Sequence, residues 1–178
     1  KLHCTVALAP FFLMAVAVAT AGCDPTPTPP PDPTECPALD PAAAPVEHSD
    51  TIVADEEWPA AVHLLTFGVS VRSGATLTIE PCAVVKVRQS YGIDVQVGGT
   101  LVADGSPALP IRFEPETAGV AWGQIQISQG QARLSGVTLE GGGDLSADPL
   151  SAALWLRGDS GTHLPQPLVS VRDVTISG

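Results

Sequence analysis

Apolar and polar residues alternate through residues 75–80, where Ala75, Leu77 and Ile79 interleave with Thr76, Thr78 and Glu80. A period of two predicts a strand with one face in a core and the other in water. Glu80-Pro81-Cys82 interrupts the alternation, because proline cannot donate to a ladder and belongs at a corner. A second strand is predicted from Val84 to Arg88. The unit is therefore strand, tight corner, strand, with a corner too sharp for a sandwich hairpin.

The unit returns along the chain. Gly98-Gly99-Thr100-Leu101 repeats Gly74-Ala75-Thr76-Leu77, and Val102, Ala103 and Asp104-Gly105 stand where Thr78, Ile79 and Glu80-Pro81 stood. Ile111-Arg112-Phe113 takes the place of Val85-Lys86-Val87. Residues 132–141 and 169–178 echo the unit more weakly, and Ile93 to Val97 and Ile125 to Ile127 add further alternating segments. Repeats of roughly 20 to 30 residues mean stacked units, none of which buries its apolar face alone. Short strands, frequent turns and no helical period make this an all-β solenoid of about four coils over residues 69–178. Residues 46–68 carry Trp58 and the apolar run 60–65 without clean periodicity, and are expected to form an N-terminal cap with a lead-in strand over the first open edge. The chain stops at Gly178 directly after a strand-like segment with no polar cap, which is expected of a fragment of a longer protein or of a last coil that pairs with another chain.

Two stretches precede the coils. Residues 1–23 open with Lys1 and His3, continue through an apolar run at 6–19, and end in Thr20-Ala21-Gly22-Cys23, the layout of a secretory signal. The run is too short for a comfortable transmembrane helix of about 20 residues. Ala21-Gly22-Cys23 resembles a bacterial lipobox, although Thr20 stands where leucine is usual. That resemblance implies lipid on Cys23 and a membrane as partner; the alternative is an ordinary signal cut nearby. Residues 24–45 contain Pro-Thr-Pro-Thr-Pro-Pro-Pro-Asp-Pro and three later prolines, a density that favours extended polyproline II and a stalk over any packed core. With Cys4 leaving in the signal and Cys23 lipidated, Cys36 and Cys82 remain as an expected disulfide in an oxidising compartment, with two free thiols as the alternative.

Gly-Ala-Thr-Leu-Thr-Ile-Glu-Pro at 74–81 and Val-Val-Lys-Val at 84–87 resemble the repeats of bacterial surface proteins with right-handed parallel β-helices. Gly-Thr-Leu-Val-Ala-Asp-Gly at 99–105, Pro-Ile-Arg-Phe at 110–113 and Trp-Gly-Gln-Ile at 122–125 continue the resemblance. It covers about residues 70–178 and implies a pectin-lyase-like, right-handed parallel β-helix. The chain departs from the motif at Cys82, where glycine is usual, and slightly around Trp122. The resemblance carries no assigned reaction.

Composition narrows the function further. Aromatics make up only 4% of the chain while small aliphatics are abundant, which suits a narrow lumen better than an α/β enzyme. The net charge of −11 argues against nucleic acid, which needs a basic footprint. It also disfavours an anionic lipid surface and leaves a solvated acidic face as the main expectation. Candidate chemistry is sparse. Gly158-Asp159-Ser160-Gly161 resembles the nucleophile loop of trypsin-like proteases, but neither His63 nor His163 stands in that family's context, and the same residues suit a turn. Lys86 and Arg112 are expected in matching outward positions with Gln126 continuing the column, and Glu80 and Asp104 align at the corner. A lyase or hydrolase would need a base against a substrate carboxylate, and this column is mixed. The histidines lack metal-ligand spacing, so no metal or cofactor is expected. Trp122, Trp155 and Tyr91 are the candidate glycan contacts, the alternative for each being a place in the core or as the plug of a turn. The expectation is an exported, lipid-anchored protein of the bacterial cell envelope or outer surface. It would be a non-catalytic scaffold for adhesion or ligand display whose partner is a surface polysaccharide or another protein. The alternative is a polysaccharide lyase or hydrolase.

Overall fold

The computed structural model describes residues 34–40, 42–143, 152–157 and 168–178. All of them belong to one unit, Pro33–Gly178. Cys4, Cys23, half of the proline-rich stretch 24–45, Gly158 to Gly161 and His163 lie outside the described residues. Among the described residues no helix is long and apolar enough to cross a membrane.

Every described element is a short strand. The first coil is β1 (Val46–His48), β2 (Thr51–Ile52) and β3 (Glu56–Trp58). The second is β4 (Val62–Leu65), β5 (Val69–Val71) and β6 (Thr76–Ile79), and the third is β7 (Val84–Val87), β8 (Ile93–Val95) and β9 (Thr100–Asp104). The fourth is β10 (Ile111–Pro115), β11 (Ile125–Ser128) and β12 (Gln131–Ser135). The fifth is β13 (Val137–Glu140), β14 (Leu154–Arg157) and β15 (Val169–Arg172), and β16 (Thr175–Ser177) begins another. First, second and third strands of successive coils stack into three separate sheets. Every neighbouring pair in them is parallel, for example β6 with β9, β9's neighbour β12, and β7 with β10. The described residues form a right-handed parallel β-helix.

Alternation is what closes the coil. In the third sheet Trp58, Ile79, Ala103, Leu134 and Val171 stack one above another. In the second sheet Val71, Val95, Ile127 and Leu156 do the same. In the first sheet His63, Val85, Phe113, Leu139 and Ile176 form the column. Through the middle coils these side chains are wholly buried, forming one continuous lumen. A buried aliphatic side chain contributes about 1.5–3 kcal/mol, and here the shielding neighbour is the coil above or below. The same columns become exposed at Leu156, Val171 and Ile176 in the last described turns.

The expected repeat register holds where the corners match. Thr76 pairs with Thr100 and Leu77 with Leu101, and the two weaker echoes of the unit prove to stack on each other, Ala132 on Val169 and Thr138 on Thr175. It fails at Ile111-Arg112-Phe113. Phe113 lies on Val85 and Arg112 on Val84, because the corner between β9 and β10 is longer than the one between β6 and β7 and moves the strand along. Residues 69–178 hold the four turns expected of them. Residues 46–68, expected as a cap and lead-in strand, instead carry a complete first coil and β4, paired in parallel like the rest. The cysteines at 36 and 82 form the disulfide, with Cα atoms 5.4 Å apart. Cys82 adopts φ 71°, a left-handed conformation that glycine takes up without strain.

Candidate functional site

The outer face of the second sheet is the most organised polar surface of the described residues. Alternation on β8 and β11 that sends Ile93, Val95, Ile125 and Ile127 inward sends Asp94, Gln96, Gln126 and Ser128 outward. Stacking aligns Ser70, Asp94, Gln126 and Trp155 in one column. Side-chain hydrogen bonds then run across coils. Arg72 Nη1 donates to Gln96 Oε1 at 2.6 Å, and Gln96 Nε2 donates to Asp94 Oδ2 at 3.2 Å. From the other side Gln124 Nε2 donates to Gln126 Oε1 at 2.9 Å, Gln126 Nε2 to Ser128 Oγ at 2.5 Å, and Ser128 Oγ to Asp94 Oδ1 at 2.9 Å. Both chains end on Asp94, the carboxylate at their centre. Arg157 lies beside Ser128 in the next strand, exposed.

This network holds amide, hydroxyl and carboxylate groups at fixed spacing on a rigid sheet. Successive strands in such a sheet are about 4.8 Å apart. Gln side chains offer both donor and acceptor, and Asp94 offers acceptors. The arrangement suits a ligand rich in hydroxyl groups. It does not resemble a general base poised over a cleft, since both oxygens of Asp94 already accept hydrogen bonds.

The candidate aromatics separate. Trp155 is 38% exposed at the end of the Asp94–Gln126 column. Tyr91 is half-buried against the core, with its ring 5.1 Å from Phe67. Trp122 is 0% exposed and so is withdrawn as a glycan contact. It turns into the lumen beside Phe113, and its Nε1 donates to the Glu140 carbonyl at 2.6 Å. Gly142 makes the room: a Cβ there would lie 2.6 Å from Trp122 Cζ2.

The expected column of Lys86, Arg112 and Gln126 is also corrected. Lys86 pairs with Glu114, 3.9 Å away, Arg112 lies between Val84 and Thr138, and Gln126 belongs to a different sheet. Register, set by the longer corner, decides this. Asp104 makes an exposed ion pair with Arg133 at 2.7 Å. Arg88 holds Glu116 in a forked pair at 2.9 and 3.0 Å. That hydrogen bonding raises the guanidinium pKa and lowers that of the carboxyl. Exposed pairs of this kind contribute little to stability.

A second cluster went unnoticed in the sequence. His48 and His63 both point into the lumen at its N-terminal end, where other coils place Leu, Val and Phe. His63 is 1% exposed. Its Nε2 lies 2.8 Å from the Pro59 carbonyl, and its Nδ1 lies 3.0 Å from His48 Nε2. His48 stacks on Trp58 at 4.0 Å between ring centroids, and Trp58 Nε1 donates to Glu56 Oε1 at 2.7 Å. Burial lowers the pKa of both histidines. For His48 the neighbouring His63 lowers it further and Glu56 opposes; for His63 the Pro59 hydrogen bond and Glu56 oppose. The rings therefore close the lumen that a separate cap was expected to close. Among the described residues no group of three His, Cys, Asp or Glu side chains is placed to hold a metal ion.

No protein-family model, no curated protein and no solved structure matches this chain.

Proposed function

We propose that this protein is an exported, non-catalytic display scaffold whose second-sheet face binds a polysaccharide. The carrying observation is the side-chain network centred on Asp94, with Trp155 in the same column. A hydroxyl-rich chain laid along the solenoid would meet an amide, a carboxylate or a hydroxyl at each coil and an indole at the end. The Cys36–Cys82 bridge supports export, because disulfides persist in oxidising compartments. A lipid on Cys23, with residues 24–45 as the stalk, would tether the scaffold to the bacterial envelope. The runner-up is a polysaccharide lyase or hydrolase on the same fold.

The test is a panel of neutral and uronate polysaccharides, assayed for binding by calorimetry and for turnover by new reducing ends and unsaturated products. Binding without turnover is expected. Gln126→Ala and Trp155→Ala should each weaken it by about fivefold or more, the loss of roughly 1 kcal/mol from one hydrogen bond or ring contact. Turnover would overturn the non-catalytic reading. Binding that ignores both substitutions, or no binding across the panel, would overturn the assignment to this face.

A further inference from the structure

The partners of the two lumen histidines determine where their protons sit. The Pro59 carbonyl can only accept, so His63 Nε2 carries hydrogen. Neutral His63 then presents bare Nδ1, and His48 Nε2 must donate to it. That leaves His48 Nδ1 bare, 3.5 Å from Glu56 Oε1, so that two acceptors face each other. A first proton on His48 Nδ1 removes this conflict. Trp58 and His48 both then donate to Glu56, His48 donates to His63, and His63 donates to Pro59. A second proton has only His63 Nδ1 to go to. There it meets the His48 N–H, donor against donor, between two cations in contact and out of water.

We propose that the His48–His63 pair is an acid-sensitive latch that fastens the first coil to the second, tolerating one proton and opening with the next. The latch lies where β1 is held to β4, and Thr66 N donates to the His48 carbonyl at 3.0 Å across that joint. The carboxylates facing the pair are Glu56 from β3 and, lining an opening of about 240 Å³ beside His48, Glu47 and Asp50. The strands packed on the other sides, β5, β6 and β7, present Val69, Ile79 and Val85. The direction of the pH effect follows. Both pKa values are lowered in the folded coil, while an unfolded histidine titrates near 6.5. Protonation therefore weakens the joint as pH falls from about 6.5 through the lowered values, least at His48, where Glu56 accepts from the new N–H and offsets part of the cost of burial.

The experiment uses the full chain with 15N-labelled histidine, titrated by NMR and followed by amide exchange corrected for its intrinsic pH dependence. At neutral pH both rings should show the Nε2–H tautomer. On acidification His48 should titrate first with Thr66 still protected. Protection of Thr66 should then fall about tenfold per pH unit, the slope of one-proton uptake, as His63 titrates. The Arg88 amide, which donates to the Leu65 carbonyl across the next joint, should keep its protection. His63→Gln should remove the steep loss. If that variant does not fold, the unsubstituted protein still decides. Both rings titrating together near pH 6.5, an Nδ1–H tautomer at His63, or Thr66 and Arg88 opening in one step would each overturn the latch.

Discussion

Reduction of the Cys36–Cys82 bridge is expected to lower stability by about 4 kcal/mol, the chain-entropy value for a closed loop of this length. The two cysteines are 46 residues apart in sequence, and that interval contains both complete coils β1–β3 and β4–β6. Little else holds the near end of the loop. Residues 34–40 and 42–45 are exposed at nearly every position, Cys36 included, whereas Cys82 is buried at the corner after β6. A small domain has only about 5–15 kcal/mol to lose. Guanidinium titrations with and without reductant should therefore separate clearly in midpoint, and an unchanged midpoint would mean that the bridge closes no entropically costly loop. The double variant Cys36→Ser/Cys82→Ser should reproduce the reduced protein. Cys36→Ser/Cys82→Gly should recover roughly 1 kcal/mol of the loss, because φ 71° strains any residue with a Cβ.

Gly92→Ala should be of comparable severity. A Cβ at Gly92 would lie 1.9 Å from the Gln124 carbonyl oxygen, and that oxygen accepts from the Ile93 amide at 3.1 Å. The obstacle is backbone of the next coil, so no rotamer change relieves it. Overpacking typically costs about 1–3 kcal/mol, and the loss here should reach or exceed the top of that range. Gly68→Ala is the matched control. It occupies the same place one coil earlier, but its Cβ would meet only the Gly92 carbonyl at an ordinary 3.9 Å. Thermal unfolding of the pair should show Gly92→Ala strongly destabilised and Gly68→Ala within about 0.5 kcal/mol of the parent, the usual range for a substitution that disturbs no contact. Similar losses in both would mean that close coil contact at this corner is not what excludes a side chain.

These two positions mark how far the residues alone lead. Gly92 reads in the sequence as an ordinary turn glycine; only stacking reveals the carbonyl above it. The polar ladder was half legible. Asp94 and Gln126 were visible as polar positions of alternating strands, but which of them share a column depends on corner length. A motif match carries no information about how many residues a corner extrudes. That is why Arg112 and Lys86 were expected together and lie apart, while Asp94 and Gln126 meet. Trp122 sits just outside a strand, where parity does not tell surface from core. The space that takes it in is left by Gly142, distant in sequence.

By itself, the order of residues determined the all-β class, the repeating strand–corner unit and the register of residues 76–79 on 100–103, and it raised the Cys36–Cys82 bridge as an expectation that the fold then met. Period-two alternation and the scarcity of large side chains are local properties, and a parallel solenoid is the arrangement that lets each such unit shield the next. Tertiary structure decided which outward side chains share a face, which aromatic rings are buried, and that the lumen ends in two histidines and a tryptophan. Those depend on the length of every corner and on the atoms of the coil above, quantities that accumulate along the stack.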